Sequence, residues 1–179
     1  GDAQVRWLEA QGYAVTLVPA RNAAPRAIRD YPCYRTVADL DAQIAQWLAD
    51  YPDLVERITI GASVEDRALT VLRLGPTSDG TTWPTFFLMA GIHGRELISN
   101  EVAASFVDRL LTRDGVDPDV TWLLDHHAIY VLITANPDGH VKNEPGEPWA
   151  YWRKNVNPIY GCEGGKFGVD LNRNSSFQW

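Results

Sequence analysis

A chain of 179 residues, 45% hydrophobic and 11% aromatic, holds enough apolar material for one folded domain. Its 23 acidic and 16 basic residues leave a net charge of −7. These charges are spread along the chain with no basic stripe, which argues against a nucleic-acid partner. No run approaches the ~20 apolar residues of a bilayer span, so no membrane role is expected.

The first residues, 4–18, read as a short helix and strand stopped at Gln11-Gly12, and residues 19–32 read as an aperiodic linker. Val37, Leu40, Ile44, Trp47 and Leu48 recur at helical spacing, with Thr36 as N-cap and Pro52 beyond the end. Two β-patterned runs, Val55–Ile60 and Leu69–Leu74, predict a hairpin or neighbouring antiparallel strands. The continuous apolar run Thr85–Ala90 predicts a strand covered by helices on both faces. Amphipathic patterning predicts helices over Glu96–Leu111 and Asp119–Leu124, with a buried strand at Ala128–Thr134 between the latter and a long loop region from Asn136 onward. The fold class is therefore α/β, a mixed central sheet with helices on both faces.

The chemistry begins where the Thr85–Ala90 strand meets its helix, at Gly91-Ile92-His93-Gly94-Arg95-Glu96. An imidazole and a carboxylate three residues apart, straddling a strand end and a helix start, can face one point and offer nitrogen and oxygen to a divalent metal. Alone, His-x-x-Glu is weak, because an acid at a helix start also suits the helix dipole. Three further segments follow in order: Asn136-Pro137-Asp138-Gly139, Trp152-Arg153-Lys154-Asn155, and Gly168-Val169-Asp170-Leu171-Asn172-Arg173-Asn174. Taken singly, each reads as ordinary loop chemistry. His126, His127 and His140 read as structural or exposed. Cys33 and Cys162 read either as two free thiols or as one long-range disulfide.

Together and in this order, the four segments resemble the M14 family of metallocarboxypeptidases, relatives of pancreatic carboxypeptidases A and B, from Tyr31 to Trp179. The resemblance implies a secreted or periplasmic enzyme of bacterial type that removes C-terminal amino acids from peptides with Zn²⁺. Residues 1–30 resemble a prodomain remnant and linker. By the same resemblance His93 and Glu96 match two zinc ligands, and Asp170 matches the carboxylate that holds the first ligand's other ring nitrogen. Arg153 matches the arginine facing the scissile carbonyl. Asn172 and Arg173 match the pair that grips the substrate's terminal carboxylate, and Arg95 a basic residue further along the substrate. A secreted family makes a Cys33–Cys162 disulfide the expected pairing.

Two departures stand out. Ser175 replaces a common aromatic, and Asn174-Ser175-Ser176 is read as an accidental glycosylation sequon. The family's third zinc ligand, its substrate-covering tyrosine and its general-base glutamate match nothing up to Trp179. The expectation is an N-terminal half of the catalytic domain, inactive alone and prone to self-association, or to binding a complementary fragment, through an exposed sheet edge. The alternatives are a related zinc amidohydrolase acting on N-acyl amino acids and a non-catalytic binding fragment.

Overall fold

The structure is a computed structural model, and it describes residues 2–16, 27–76, 82–146, 151–160 and 167–173. The elements in chain order are α1 (Asp2–Ala10), α2 (Val37–Asp50), β1 (Val55–Ala62), β2 (Ala68–Leu74), β3 (Thr85–Met89), α3 (Leu97–Arg113), α4 (Pro118–His126), β4 (Ala128–Leu132) and α5 (Pro137–Asn143). Short 3₁₀ turns occupy Ile28–Asp30 and Pro158–Tyr160. The strands form one mixed sheet in the order β1-β2-β4-β3. β1 and β2 are antiparallel, as the paired runs predict, and β4 runs antiparallel to β2 but parallel to β3.

Local chemistry sets the element ends. Thr36 caps α2 through a capping box with Asp39, which satisfies two amides that the first turn leaves open. Asp117 caps α4, and Pro118 follows at the first helical position, where its missing N–H costs nothing. Leu40, Ile44 and Trp47 of α2, Val107 and Leu111 of α3 and Leu124 of α4 join Leu72, Leu74, Ile129 and Val131 in one apolar core. The strand register places those four sheet residues on one face, since Leu72 lies opposite Val131 and Leu74 opposite Ile129.

Three expectations need correction. Among the described residues helices do not cover both faces of β3: Phe86, Phe87 and Met89 are each about half exposed on what is the sheet's last described strand. An apolar run marks a strand that seeks cover without naming what covers it. The chain after Asn136 is not all loop, since α5 begins there with Asn136 as N-cap and Pro137 next. Residues 13–16 form no strand, and the rest of that predicted run lies outside the described residues.

His140, read from the sequence as structural or exposed, is 2% exposed. Its Nε2 lies 3.1 Å from the Arg35 carbonyl, and burial lowers its pKa from the ordinary 6.5 against the smaller opposing pulls of that carbonyl and Glu101. As pH falls, the unfolded chain therefore takes up the proton first. The stability from a neutral His140 is full above about pH 6.5 and is lost as pH drops toward the lower folded value. Thermal unfolding of the complete protein should show a steeper loss between about pH 7.5 and 5.5 than His140→Gln shows, by at most ~1.4 kcal/mol per pH unit. Parallel pH profiles for the two proteins would contradict this.

Candidate active site

The site lies at the carboxyl ends of the parallel pair β3 and β4. Beyond the sheet their ladder continues, with Ala90 N–H donating to Leu132 O, Ala135 N–H to Ala90 O and Asn136 N–H to Gly91 O. Gly91 turns the chain out of β3 at φ +63, and a side chain there would collide with the Asn100 amide. That amide is 1% exposed and donates to Ile133 O and to Thr134 Oγ1, both at 2.9 Å, while Ser99 Oγ accepts from Gly91 N–H at 3.1 Å. The start of α3 thus grips the turn that delivers His93.

His93 is 5% exposed and stands between two carboxylates. Its Nδ1 lies 2.9 Å from Glu96 Oε2, and its Nε2 lies 3.2 Å from Asp170 Oδ1. A neutral imidazole carries one N–H. Placed on Nε2, that proton is donated to Asp170, and the Nδ1 lone pair and Glu96 Oε2 then stand close enough together to be offered to one cation. Such a nitrogen and carboxylate pair, with the ring held from behind, suits zinc. Among the described residues no three of His, Cys, Asp and Glu form a full metal-holding group, so the fit extends to two ligands.

Asp170 gathers more than His93. Arg153 Nε donates to its Oδ2 at 2.9 Å and Asn172 N–H to its Oδ1 at 3.0 Å. The Arg153 hydrogen bond, against an opposing desolvation and aided by the Asn172 amide, His93 and the arginine's charge, holds the Asp170 carboxyl far below the usual carboxylate range. Arg153 also donates Nη1 to Glu96 Oε1 at 3.1 Å. The structure therefore brings His93, Glu96, Arg153 and Asp170 into one contact network. Asn172 and Arg173 are exposed in the turn just beyond Asp170, where Arg173 N–H donates to Asp170 O. Arg95 is exposed beside His93. Cys33 is exposed, while Cys162, Ser175 and the 174–176 sequon lie outside the described residues.

Buried and partly buried side chains without an individual role in the sequence reading hold these loops together. Asn136 caps α5 by accepting from Gly139 N–H, and its amide donates to Lys154 O at 3.0 Å and Ile92 O at 3.3 Å. Asn143 pairs with Trp152 like a strand, accepting from its N–H at 2.9 Å and donating to its carbonyl at 2.8 Å. Asp138, 2% exposed, accepts from Ser63 Oγ, Glu65 N–H and Arg67 Nη1, which ties α5 to the β1–β2 turn. Asn155 accepts from Val169 N–H at 2.7 Å, coupling the Arg153 loop to the Asp170 loop. Lys142 lies 4.7 Å from the centre of the Trp152 ring and 4.9 Å from that of Phe167, adding a cation–π contact across the same junction. The helix-start pattern of Asn-Pro was the available signal for α5; the partners, up to 75 residues away, left none.

The zinc carboxypeptidase family model matches residues 40–179. The chain belongs to that family. It is 32% identical over 145 residues to carboxypeptidase A2 of Rattus norvegicus, covering 81% of this chain and 33% of that protein. It is 30% identical over 151 residues to carboxypeptidase B of Astacus astacus, covering 84% of this chain and 47% of that protein. Among solved structures, thrombin activatable fibrinolysis inhibitor aligns with a TM-score of 0.71 at 30% identity, over 80% of this chain and 34% of that one. Carboxypeptidase A from Helicoverpa armigera aligns with a TM-score of 0.70 at 28% identity, over 82% and 34%. The chain thus spans between a third and a half of the curated relatives' length. The mixed α/β fold matches those structures, and no helix among the described residues is long and apolar enough to cross a membrane.

Gly94 offers a test of how closely the loops must approach. Its N–H donates to Arg153 O at 3.1 Å, and a Cβ there would overlap the Gly139 backbone. Gly94→Ala should cost about 1–3 kcal/mol and loosen the His93 turn. An unchanged unfolding midpoint for the variant would mean that this close packing is not required.

Proposed function

We propose that this chain forms part of a zinc carboxypeptidase that removes C-terminal residues from peptides, exported from the cell that makes it. The observation that carries the reading is His93 Nδ1 and Glu96 Oε2 converging at 2.9 Å while Asp170 holds the far ring nitrogen, in a chain of the zinc carboxypeptidase family. His93 and Glu96 would hold the zinc, which when bound supplies Lewis acidity at the scissile carbonyl. Asp170 keeps the His93 proton on Nε2 and fixes the plane of the ring. Arg153, at the edge of the same cluster, donates hydrogen bonds to the oxyanion as it develops. Asn172 and Arg173 bind the substrate's terminal carboxylate, for which the guanidinium fork is suited, and Arg95 contacts the substrate further from the reacting bond. A free C-terminus is thereby selected by charge. In this reading the described residues supply two zinc ligands, and the 179-residue chain on its own is inactive.

The complete protein containing this chain, supplied with zinc, should cleave peptides with a free C-terminus and spare their amidated counterparts. Arg153→Ala should lower kcat by roughly 10²–10³-fold, since the oxyanion it would stabilise exists only in the transition state. Arg173→Ala should chiefly raise KM and narrow the preference over amides. Equal cleavage of free and amidated peptides would refute the assignment.

The exposed edge of β3 generates a second prediction. Phe86, Phe87 and Met89 stand about half exposed along an edge strand, an arrangement that invites pairing with another chain. The 179-residue chain in isolation should run above monomer mass in light scattering, and Phe87→Lys should shift it toward monomer. A monodisperse monomer of the unsubstituted chain would contradict it.

A further inference from the structure

We infer that Arg153 sets how tightly the His93–Glu96 pair holds a divalent cation, by competing for the Glu96 carboxylate. The inference rests on the zinc carboxypeptidase reading of that pair. Glu96 presents Oε2 to His93 Nδ1 at 2.9 Å, while its Oε1 accepts from Arg153 Nη1 at 3.1 Å. The same guanidinium donates Nε to Asp170 Oδ2 at 2.9 Å. It is therefore a cation already seated between the two carboxylates that flank His93. Its seat is restrained, because Gly94 N–H binds the Arg153 carbonyl and Asn143 holds the neighbouring Trp152 backbone from both sides.

Two consequences follow from this placement. While Glu96 Oε1 accepts from Arg153, one of its lone pairs is committed to the guanidinium and not to a metal. In addition, a fixed positive charge about 3 Å from a carboxylate lowers its affinity for any other cation. A divalent ion meets that field with twice the charge of a monovalent one. Asp170 acts in the opposite sense from behind the imidazole, and Arg153 neutralises it as well. Removing the guanidinium frees both carboxylates to favour the metal. A lysine retains the charge but lacks the planar fork that spans the two acids, so its effect is smaller.

The test measures zinc itself, by competition with a chelator, on the complete protein stripped of metal and shown by circular dichroism to be folded. Arg153→Gln should bind zinc at least about tenfold more tightly than the unsubstituted protein and release it more slowly, with Arg153→Lys in between. A merely structural role predicts weaker binding on substitution, the opposite sign. Unchanged or weaker affinity in folded Arg153→Gln overturns the inference. If that variant does not fold, Arg153→Lys decides, and binding no tighter than the unsubstituted protein overturns it. Should zinc binding be insensitive to His93→Ala, the reading of the pair fails and this inference with it. Binding that is lost in His93→Ala yet unmoved in the Arg153 variants leaves the pair intact and removes the inference alone.

Discussion

The carboxylate of Asp170 is the point at which three separately delivered pieces of the site are joined. His93 arrives from the end of β3, Arg153 from the loop after α5, and the Asn172 amide from the turn beyond Asp170 itself. Each is a charged or hydrogen-bonding group directed at the same two oxygens, so their positions are mutually dependent. The low proton affinity of Asp170 is the electrostatic record of that convergence. Because the carboxylate remains ionised, it can hold the His93 ring in one tautomer and restrain Arg153 from the other side.

Convergence of this kind requires loops that cannot drift, and here the scaffold is largely buried amide. Asn100, Asn136 and Asn143 are each 1–3% exposed, and each hydrogen-bonds the backbone of another segment, 9 to 33 residues away. A buried amide with its partners in place adds about 1 kcal/mol net per bond, but leaving one unsatisfied costs ~1–3 kcal/mol. The asymmetry makes such residues better at excluding wrong loop positions than at stabilising the fold. Gly94 completes the arrangement by meeting the Gly139 backbone where a Cβ would intrude, and a Cβ on Gly139 would strike the Asn136 amide and the Lys154 carbonyl. The sheet plays its part more simply: parallel β3 and β4 end together, and the hydrogen bonds of Ala90 and Ala135 carry the pairing one step past the strands into the site.

Much of this was legible in the amino-acid sequence. The apolar periodicity of α2, α3 and α4 reports burial directly, and the four polar segments, through their resemblance to a known family, single out His93, Glu96, Arg153 and Asp170, which the structure brings into contact. What was not legible has a common physical cause. Asn, Asp, Gly and Pro favour turns by local chemistry, so Asn136-Pro137-Asp138-Gly139 reads as a loop, although Asn136 caps a helix and Asp138 anchors the β1–β2 turn. Their partners lie 18 to 75 residues away and are set by tertiary packing alone. The cover of Thr85–Ala90 was misjudged for a related reason: an apolar strand records that it seeks burial, while its neighbours are decided by the topology around it.

The account depends most on the imidazole of His93 keeping its proton on Nε2, toward Asp170, with Nδ1 free to donate its lone pair beside Glu96. Nitrogen-15 NMR of the histidine rings in the complete protein, with His93 assigned by substitution, reads this directly. The account predicts a protonated Nε2 whose proton is held in a hydrogen bond, and an Nδ1 signal that shifts on addition of zinc. A proton on Nδ1 that persists with zinc present, with no response from that nitrogen, would contradict it.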